Sequence, residues 1–510
     1  MELSLFSNLA LGFATAVSLQ NLMYCFIGVF LGTLVGVLPG VGPLAAIAML
    51  LPATFNLPPV GALIMLAGIY YGTQYGGSTT SILVNLPGES ASVVTCLDGY
   101  QMAKKGRAGP ALAIAAIGSF FAGCVGTILI ALAGPPLAEM ALKFGAPEYF
   151  SLMVMGLMAA AILGSGSLLK AISMIFLGLI IGIVGTDVNS GMSRFTFGMS
   201  GLADGLSFVV VAMGLFGFAE ILSNLAKGQD VSSRELLTTK IKHLYPTLHD
   251  LKVSIGPIMR GTAIGSFFGT LPGAGPTISA FSSYALEKKV SKYPGEFGTG
   301  AIQGVAGPEA ANNAAAQCAF IPTLTLGIPG SGTMALILGA LTIQGIAPGP
   351  QVMTQRPDLF WGLIASMWIG NAMLVVLNLP LIGLWVRILQ VPYRYLFPAI
   401  LTFMAIGVYS VNNLDLDIYM TVFFGILGYV FIKLRCEPAP LILAFVLGPL
   451  MEENLRRALL ISRGDPTVFF TRPISAGFLI ATILLLIIMI LPNIRKKRHE
   501  VLEEGEQQTV

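Results

Sequence analysis

Two carboxylates, Glu89 and Glu309, stand nearly alone as charges in apolar surroundings, each beside a run of hydroxyl and amide side chains. The first run, Tyr70 to Ser90, carries Ser78, Thr80, Ser81, Asn85, Pro87, Gly88 and Ser90. The second, Ala311 to Thr333, carries Asn312, Asn313, Thr323, Thr325, Pro329, Gly330, Ser331 and Thr333. The dipeptides Pro87-Gly88 and Pro329-Gly330 set their correspondence (329 − 87 = 242), and Ser81 aligns with Thr323. Oxygen donors of this kind suit a small hard cation, and carbonyls freed where a helix breaks add to them. No Lys or Arg precedes Lys104, so an anion bound here would rest on backbone N–H groups at helix N-termini. A membrane carboxylate is a functional candidate by default, and Asp98 is a third; the competing reading places each at a helix end in water.

A second pair of stretches must position these runs. Gly32-Thr-Leu-Val-Gly-Val-Leu-Pro-Gly-Val-Gly-Pro43 recurs as Gly265-Ser-Phe-Phe-Gly-Thr-Leu-Pro-Gly-Ala-Gly-Pro276, at a constant offset (272 − 39 = 233). Pro removes a backbone donor and Gly tolerates unusual dihedrals, so Gly40, Gly42, Gly273 and Gly275 mark breaks inside apolar segments. In lipid, freed backbone groups are tolerated only where protein buries them or they line a polar cavity. Interrupted segments at matched positions of two halves therefore point to a binding site at the midplane. A β-carbon at Gly88 or Gly330 is expected to block close backbone approach. Isolated glycines such as Gly36, Gly118 and Gly370 read as helix-packing positions.

The 510 residues are 55% hydrophobic and 10% charged, with a mean hydropathy of +0.81. That predicts an all-α polytopic membrane protein with about 11–12 crossings in two homologous, inverted repeats containing broken or re-entrant helices. The expected units are a first repeat over 1–226, a polar connector over 227–252, a second repeat over 253–494 and a hydrophilic tail over 495–510. Lys104-Lys-Gly-Arg107, the connector and Arg495-Lys-Lys-Arg498 read as cytoplasmic by the positive-inside rule. Arg456, Arg457, Arg463 and Arg472 lie one long span before the tail, and so fall outside, against that rule. Five scattered cysteines form neither a disulfide framework nor a metal cluster, and the thin net charge of +3 excludes a nucleic-acid surface.

Leu38-Pro-Gly-Val-Gly-Pro43, Tyr75-Gly-Gly-Ser-Thr-Thr-Ser-Ile-Leu-Val-Asn-Leu-Pro-Gly-Glu89, Asp98-Gly-Tyr-Gln-Met-Ala103, Gly307-Pro-Glu-Ala-Ala-Asn-Asn313 and Leu326-Gly-Ile-Pro-Gly-Ser-Gly-Thr333 together resemble the large membrane subunit, TctA, of tripartite tricarboxylate transporters. Gln101 stands where that family usually has Pro. The resemblance implies a multi-pass subunit of the bacterial inner membrane that is not an enzyme and imports a carboxylate such as citrate by ion symport. It also implies two partners, a periplasmic solute-binding protein and a small membrane subunit. On this reading no cofactor is needed beyond a coupling ion, sodium or else the proton. The expected substrate contacts are Gly40, Gly42, Asn85, Pro87, Gly88, Ser90, Gly273, Gly275, Asn312, Asn313, Pro329, Gly330, Ser331 and Thr333. The expected cation ligands are Ser78, Thr80, Ser81, Thr323 and Thr325. Two rivals are a passive anion channel and, prompted by Gly77-Ser78, an intramembrane serine hydrolase, which would need a general base that no membrane histidine supplies.

Overall fold

The computed structural model describes residues 5–38, 40–163, 167–187, 190–227, 245–271, 273, 275–389 and 393–490. Pro39 and Pro272 of the repeated stretches, residues 228–244 of the expected connector and the whole 495–510 tail lie outside the described residues. Among the described residues, five helices are long and apolar enough to cross a membrane, and seven shorter apolar helices accompany them. Apart from a two-residue antiparallel pairing, Gly185–Thr186 with Ser193–Arg194, the regular structure is helical.

In chain order the helices are α1 (Leu5–Ala16), α2 (Leu19–Gly36), α3 (Pro43–Leu50), α4 (Pro59–Val84), α5 (Ala108–Ala141), α6 (Ala146–Leu163), α7 (Leu168–Gly182) and α8 (Phe208–Ala226). Then come α9 (Leu248–Gly269), α10 (Gly275–Val290), α11 (Gln303–Cys318), α12 (Phe320–Leu326), α13 (Gly332–Ile343) and α14 (Pro357–Asn378). The chain closes with α15 (Ile382–Leu389), α16 (Tyr393–Asn412), α17 (Asp415–Lys433), α18 (Ala439–Ile461) and α19 (Pro473–Ile490). The polar run after Tyr70 is not a loop. It forms the C-terminal half of α4, and its residues up to Val84 are buried. Those polar side chains keep α4 out of the purely apolar class despite its 26 residues.

The repeat is visible in how glycines seat one helix on another. Gly28, Gly32 and Gly36 of α2 lie on the backbone of Met65, Ile69 and Thr73 of α4. At the 233- and 242-residue offsets, Gly261, Gly265 and Gly269 of α9 lie on Gly307, Ala311 and Ala315 of α11. A β-carbon at any of these six would sit 2.2–2.6 Å from a backbone oxygen. Small residues four apart let membrane helices approach to backbone contact, because no hydrophobic effect drives helices together in lipid. Gly36 is thus a packing glycine, as its type alone suggests.

The two halves interlock. Helix α5 packs along α11, with Gly118 beside Ala306 and Gly126 beside Ala314 and Gln317, so the two run parallel. Helix α14 packs along α4, with Gly362 beside Val60 and Gly370 beside Tyr71, again parallel. Between α4 and the segment α11–α12 the direction reverses. Tyr70 meets Phe320 with ring centroids 6.2 Å apart, while Ser78 meets Glu309.

Arg107 binds Asp250 at the start of α9, and Lys105 Nζ donates to the Thr299 carbonyl (2.6 Å), which gathers basic residues at one end. Three of the four arginines that run against the charge rule are ion-paired where they stand. Arg456 pairs with Asp187 and Glu452, Arg457 with Glu453, and Arg472 with Glu148 (2.6 Å).

Candidate functional site

Helix α2 breaks at Val37 and the chain resumes as α3; α9 breaks at Thr270 and resumes as α10. Both tips carry a left-handed glycine at the matched position, with φ +81° at Gly40 and +82° at Gly273, and the second tip carries another at Gly275 (φ +55°). Only glycine adopts this freely, which explains the residue type. Each tip is tied to the Pro-Gly loop of its own half. Gly40 N–H donates to the Pro87 carbonyl (3.3 Å), and Gly273 N–H donates, one position further along, to Gly330 (2.7 Å).

The Pro-Gly loops repeat in backbone as well. Left-handed residues end the preceding helices, Asn85 (φ 56°) after α4 and Gly327 (φ 71°) after α12, both common helix stops. Extended residues, Glu89 (φ −148°) and Ser331 (φ −157°), then lead into the next helical turns. Both turns open longer helical segments. Ser331 caps the 12-residue α13, its hydroxyl accepting from Met334 N–H (3.3 Å), and Glu89 opens a 3₁₀ turn, Ser90–Ser92, that runs on without a break through Val93–Thr95, Cys96–Tyr100 and Gln101–Lys104. A helix N-terminus therefore points at each of the two loops.

Around the crossing of α4 and α11 the two buried carboxylates face amides and hydroxyls. Asn312 Nδ2 donates to Glu89 Oε1 (2.9 Å), and the Glu89 side chain lies against Gly77. Glu309 accepts from Ser78 (2.6 Å) and from Thr95. Asn313 Nδ2 donates to Ser119 Oγ (2.7 Å) and to the Glu309 carbonyl (3.1 Å). Glu89 is 9% exposed and Glu309 1%, and neither has a cationic partner among the described residues. A buried carboxylate without a positive charge is costly, so this locus calls for a cation or a proton.

The expected residues divide. Ser78, Asn312 and Asn313 join the carboxylate cluster, and Ser90 Oγ lies 2.8 Å from Thr277 Oγ1, bridging the halves. Thr80 ties α4 to the Val37 carbonyl (2.6 Å), where α2 unwinds. Ser81, Thr323 and Thr325 donate to carbonyls four residues back, a bond internal to their own helices. Asn85, Gly40 and Ser90 are exposed; Pro329, Gly330 and Thr333 are buried and Ser331 half-buried. Gly42 lies against Glu89, and Gly275 starts α10 with φ +55°. Asp98 is a structural tie. Its carboxylate accepts the N–H groups of Gly298, Gly300 (2.8 Å each) and Ala301 (2.9 Å) and the Tyr284 hydroxyl (3.0 Å), fixing the turn into α11.

Sequence reasoning missed Thr95, Ser119 and Asn378, and took in Gln74 and Gln317 only as members of the two polar runs. Both amide atoms of Gln74 and Gln317 are buried without a hydrogen-bond partner. Ser119 and Asn378 are isolated polar residues in long apolar helices, and that isolation was the only signal they gave.

The profile of the "Tripartite tricarboxylate transporter TctA family" matches residues 22–443. An "Uncharacterized 52.8 kDa protein in TAR-I ttuC' 3'region" of Agrobacterium vitis is 60% identical over 504 residues, 99% of this chain and 100% of that protein. An "Uncharacterized protein in TAR-II ttuC' 3'region" of the same organism is 61% identical over 242 residues, 48% of this chain and 100% of that protein. No solved structure matches significantly. The matched region contains both broken-helix pairs and both buried carboxylates, and the chain belongs to the tripartite tricarboxylate transporter TctA family.

Proposed function

We propose that this chain is the permease subunit that carries a tricarboxylate or related carboxylate, such as citrate, across the bacterial inner membrane in symport with sodium. A periplasmic solute-binding protein delivers the substrate, and a small membrane subunit completes the transporter. The observation that carries this reading is the pair of unneutralised carboxylates, Glu89 and Glu309, set between two loop pairs that repeat the same backbone angles. The hydroxyls and amides around them suit a hard cation with oxygen ligands, and the dipole of α13 suits an anion at the second loop.

The halves are inverted repeats on this reading. Helices α4 and α11 hold equivalent places yet run antiparallel, as do α5 and α14, where Gly123 meets Asn371 and Gly134 meets Phe360. Equivalent helices running oppositely across a bilayer are the signature of inverted topology. The first loop then opens toward the end bearing Lys104 to Arg107, and the second toward the opposite face.

Reconstitution with both partners at micromolar substrate, driven by a sodium gradient, tests the reading. Sodium-dependent uptake and counterflow support it; uptake driven equally by a pH gradient without sodium contradicts the choice of ion. Flux without counterflow favours the channel. For the hydrolase, Ser78 faces Glu309 and not a histidine, and His249 is exposed at the start of α9.

A further inference from the structure

Beside Ser78, on the side of α4 that faces α5 and α14, a small cavity of about 10 Å³ is lined by Tyr75, Ser78, Thr79, Ser119 and Asn378. That is room for roughly one water-sized particle. Its polar walls are hydroxyls and one amide, and the amide is incompletely satisfied. Asn378 Nδ2 donates to the Leu374 carbonyl (2.9 Å), but its Oδ1, on a residue 5% exposed, has no hydrogen-bond partner. Two of the hydroxyls lead to the carboxylate cluster. Ser78 Oγ donates to Glu309 Oε2 (2.6 Å), and Ser119 Oγ accepts from Asn313, whose own Oδ1 is also unpaired. Buried polar atoms are almost always satisfied in native proteins, so two orphan amide oxygens around one locus require an explanation.

We infer that this cavity is a sodium site, with Asn378 Oδ1 and the hydroxyls of Ser78 and Ser119 as ligands and Glu309 as the balancing charge. The assignment rests on the symport reading above and deepens it, because two of its ligands, Ser119 and Asn378, lie outside the repeated motifs. Its polar lining offers oxygen donors, as a hard cation requires, and the remaining walls are aliphatic or aromatic carbon. Each hydroxyl turns on its own C–O bond, so Ser78 and Ser119 offer lone pairs to an ion without moving their helices. The positive charge removes the cost of burying Glu309, one hydroxyl away. The ligands come from α4, α5 and α14, one helix pair from the first half and one helix from the second. Occupancy therefore links the halves at a point where a relative movement would open the site.

The purified full-length chain, in detergent without any carboxylate, gives the test: its melting temperature in sodium chloride against choline chloride at equal ionic strength and fixed pH. A ligand that binds only the folded state raises the melting temperature by mass action. Sodium should stabilise the native protein saturably. Ser119→Ala and Asn378→Leu should raise the half-saturating sodium concentration by about tenfold or more. Glu309→Gln should abolish the response. Because Glu309→Gln also alters packing inside the cluster, the milder Ser119→Ala decides the matter if that variant does not fold. A native protein indifferent to sodium, or a sodium response unchanged in Ser119→Ala and Asn378→Leu, overturns the assignment. Uptake by the complete transporter is scored separately, so failure of the transport reading is distinguishable from failure of the site.

Discussion

In the first half of the chain the Pro-Gly loop is crowded and the broken tip is free; in the second half the order is reversed. A β-carbon on Gly88 would lie 2.3 Å from the Gly77 Cα and 2.7 Å from the Gly36 carbonyl, whereas one on Gly330 would meet nothing closer than 3.5 Å. At the tips, a β-carbon on Gly273 would lie 2.4 Å from the Ala160 Cα of α6, but one on Gly40 meets only the side chains of Asn224 and Glu220, at 3.4 and 3.5 Å. Each half thus anchors its loop pair through one member and leaves the other with space. At the loop pairs the repeat preserves backbone angles and not seating. The two less crowded positions differ in turn: Gly40 is exposed, whereas Gly330 is buried with room for a methyl group.

The largest effect should separate Gly88→Ala from Gly330→Ala. Neither glycine has a left-handed φ, so the difference is steric alone. Forcing a methyl against the Gly77 backbone should cost about 1–3 kcal/mol or prevent assembly, read as lost monodisperse protein and lost uptake. Gly330→Ala should fold normally, and any loss there appears in uptake alone. Equal damage to folding in both variants breaks the comparison.

Next in size is the pair at the tips. Asn tolerates the left-handed region better than other non-glycine residues, so Gly40→Asn should fold with a penalty of about 1 kcal/mol or less. Gly273→Asn pays the same backbone cost and also drives its β-carbon into α6, so its melting temperature should fall clearly further. Equal melting temperatures would mean that α6 yields, and the crossed pattern would fail.

The parts of this arrangement that were legible in the sequence are those that repeat. Gly40 and Gly273, or Asn85 and Gly327, are constrained by backbone conformation, which leaves a signature in residue type at a fixed offset. The broken helices and their pairing could therefore be read directly. Crowding at Gly88 and Gly273 comes from Gly77 and Ala160, partners contributed by packing, and an aligned motif carries no trace of them. Ser81, Thr323 and Thr325 read as cation ligands by type, and their hydroxyls, donating to carbonyls four residues back, keep oxygen lone pairs for an ion. Ser119 and Asn378 belong to helices brought together only by the fold.

The smallest effect lies at the helix stops. Asn85→Gly should change stability by less than about 1 kcal/mol, because both residues accept the left-handed cap. Gly327→Ala should cost about 1–2 kcal/mol from the backbone alone, with the Pro348 carbonyl 3.2 Å from the new β-carbon adding to it. Chemical or thermal melts of the two variants order them, and the reverse order would show that the caps are not equivalent.

The central claim is that the two loop pairs serve opposite faces of one pathway. Single cysteines at Asn85 and Ser331, in a chain whose Cys25, Cys96, Cys124, Cys318 and Cys436 have been replaced, test it most directly. Membrane-impermeant thiol reagents are applied from each side of sealed vesicles, with and without sodium and substrate. The account predicts that position 85 reacts from the face bearing Lys104 to Arg107, that position 331 reacts from the opposite face, and that ligands shift the two rates in opposite directions. Labelling of both positions from the same face would contradict it.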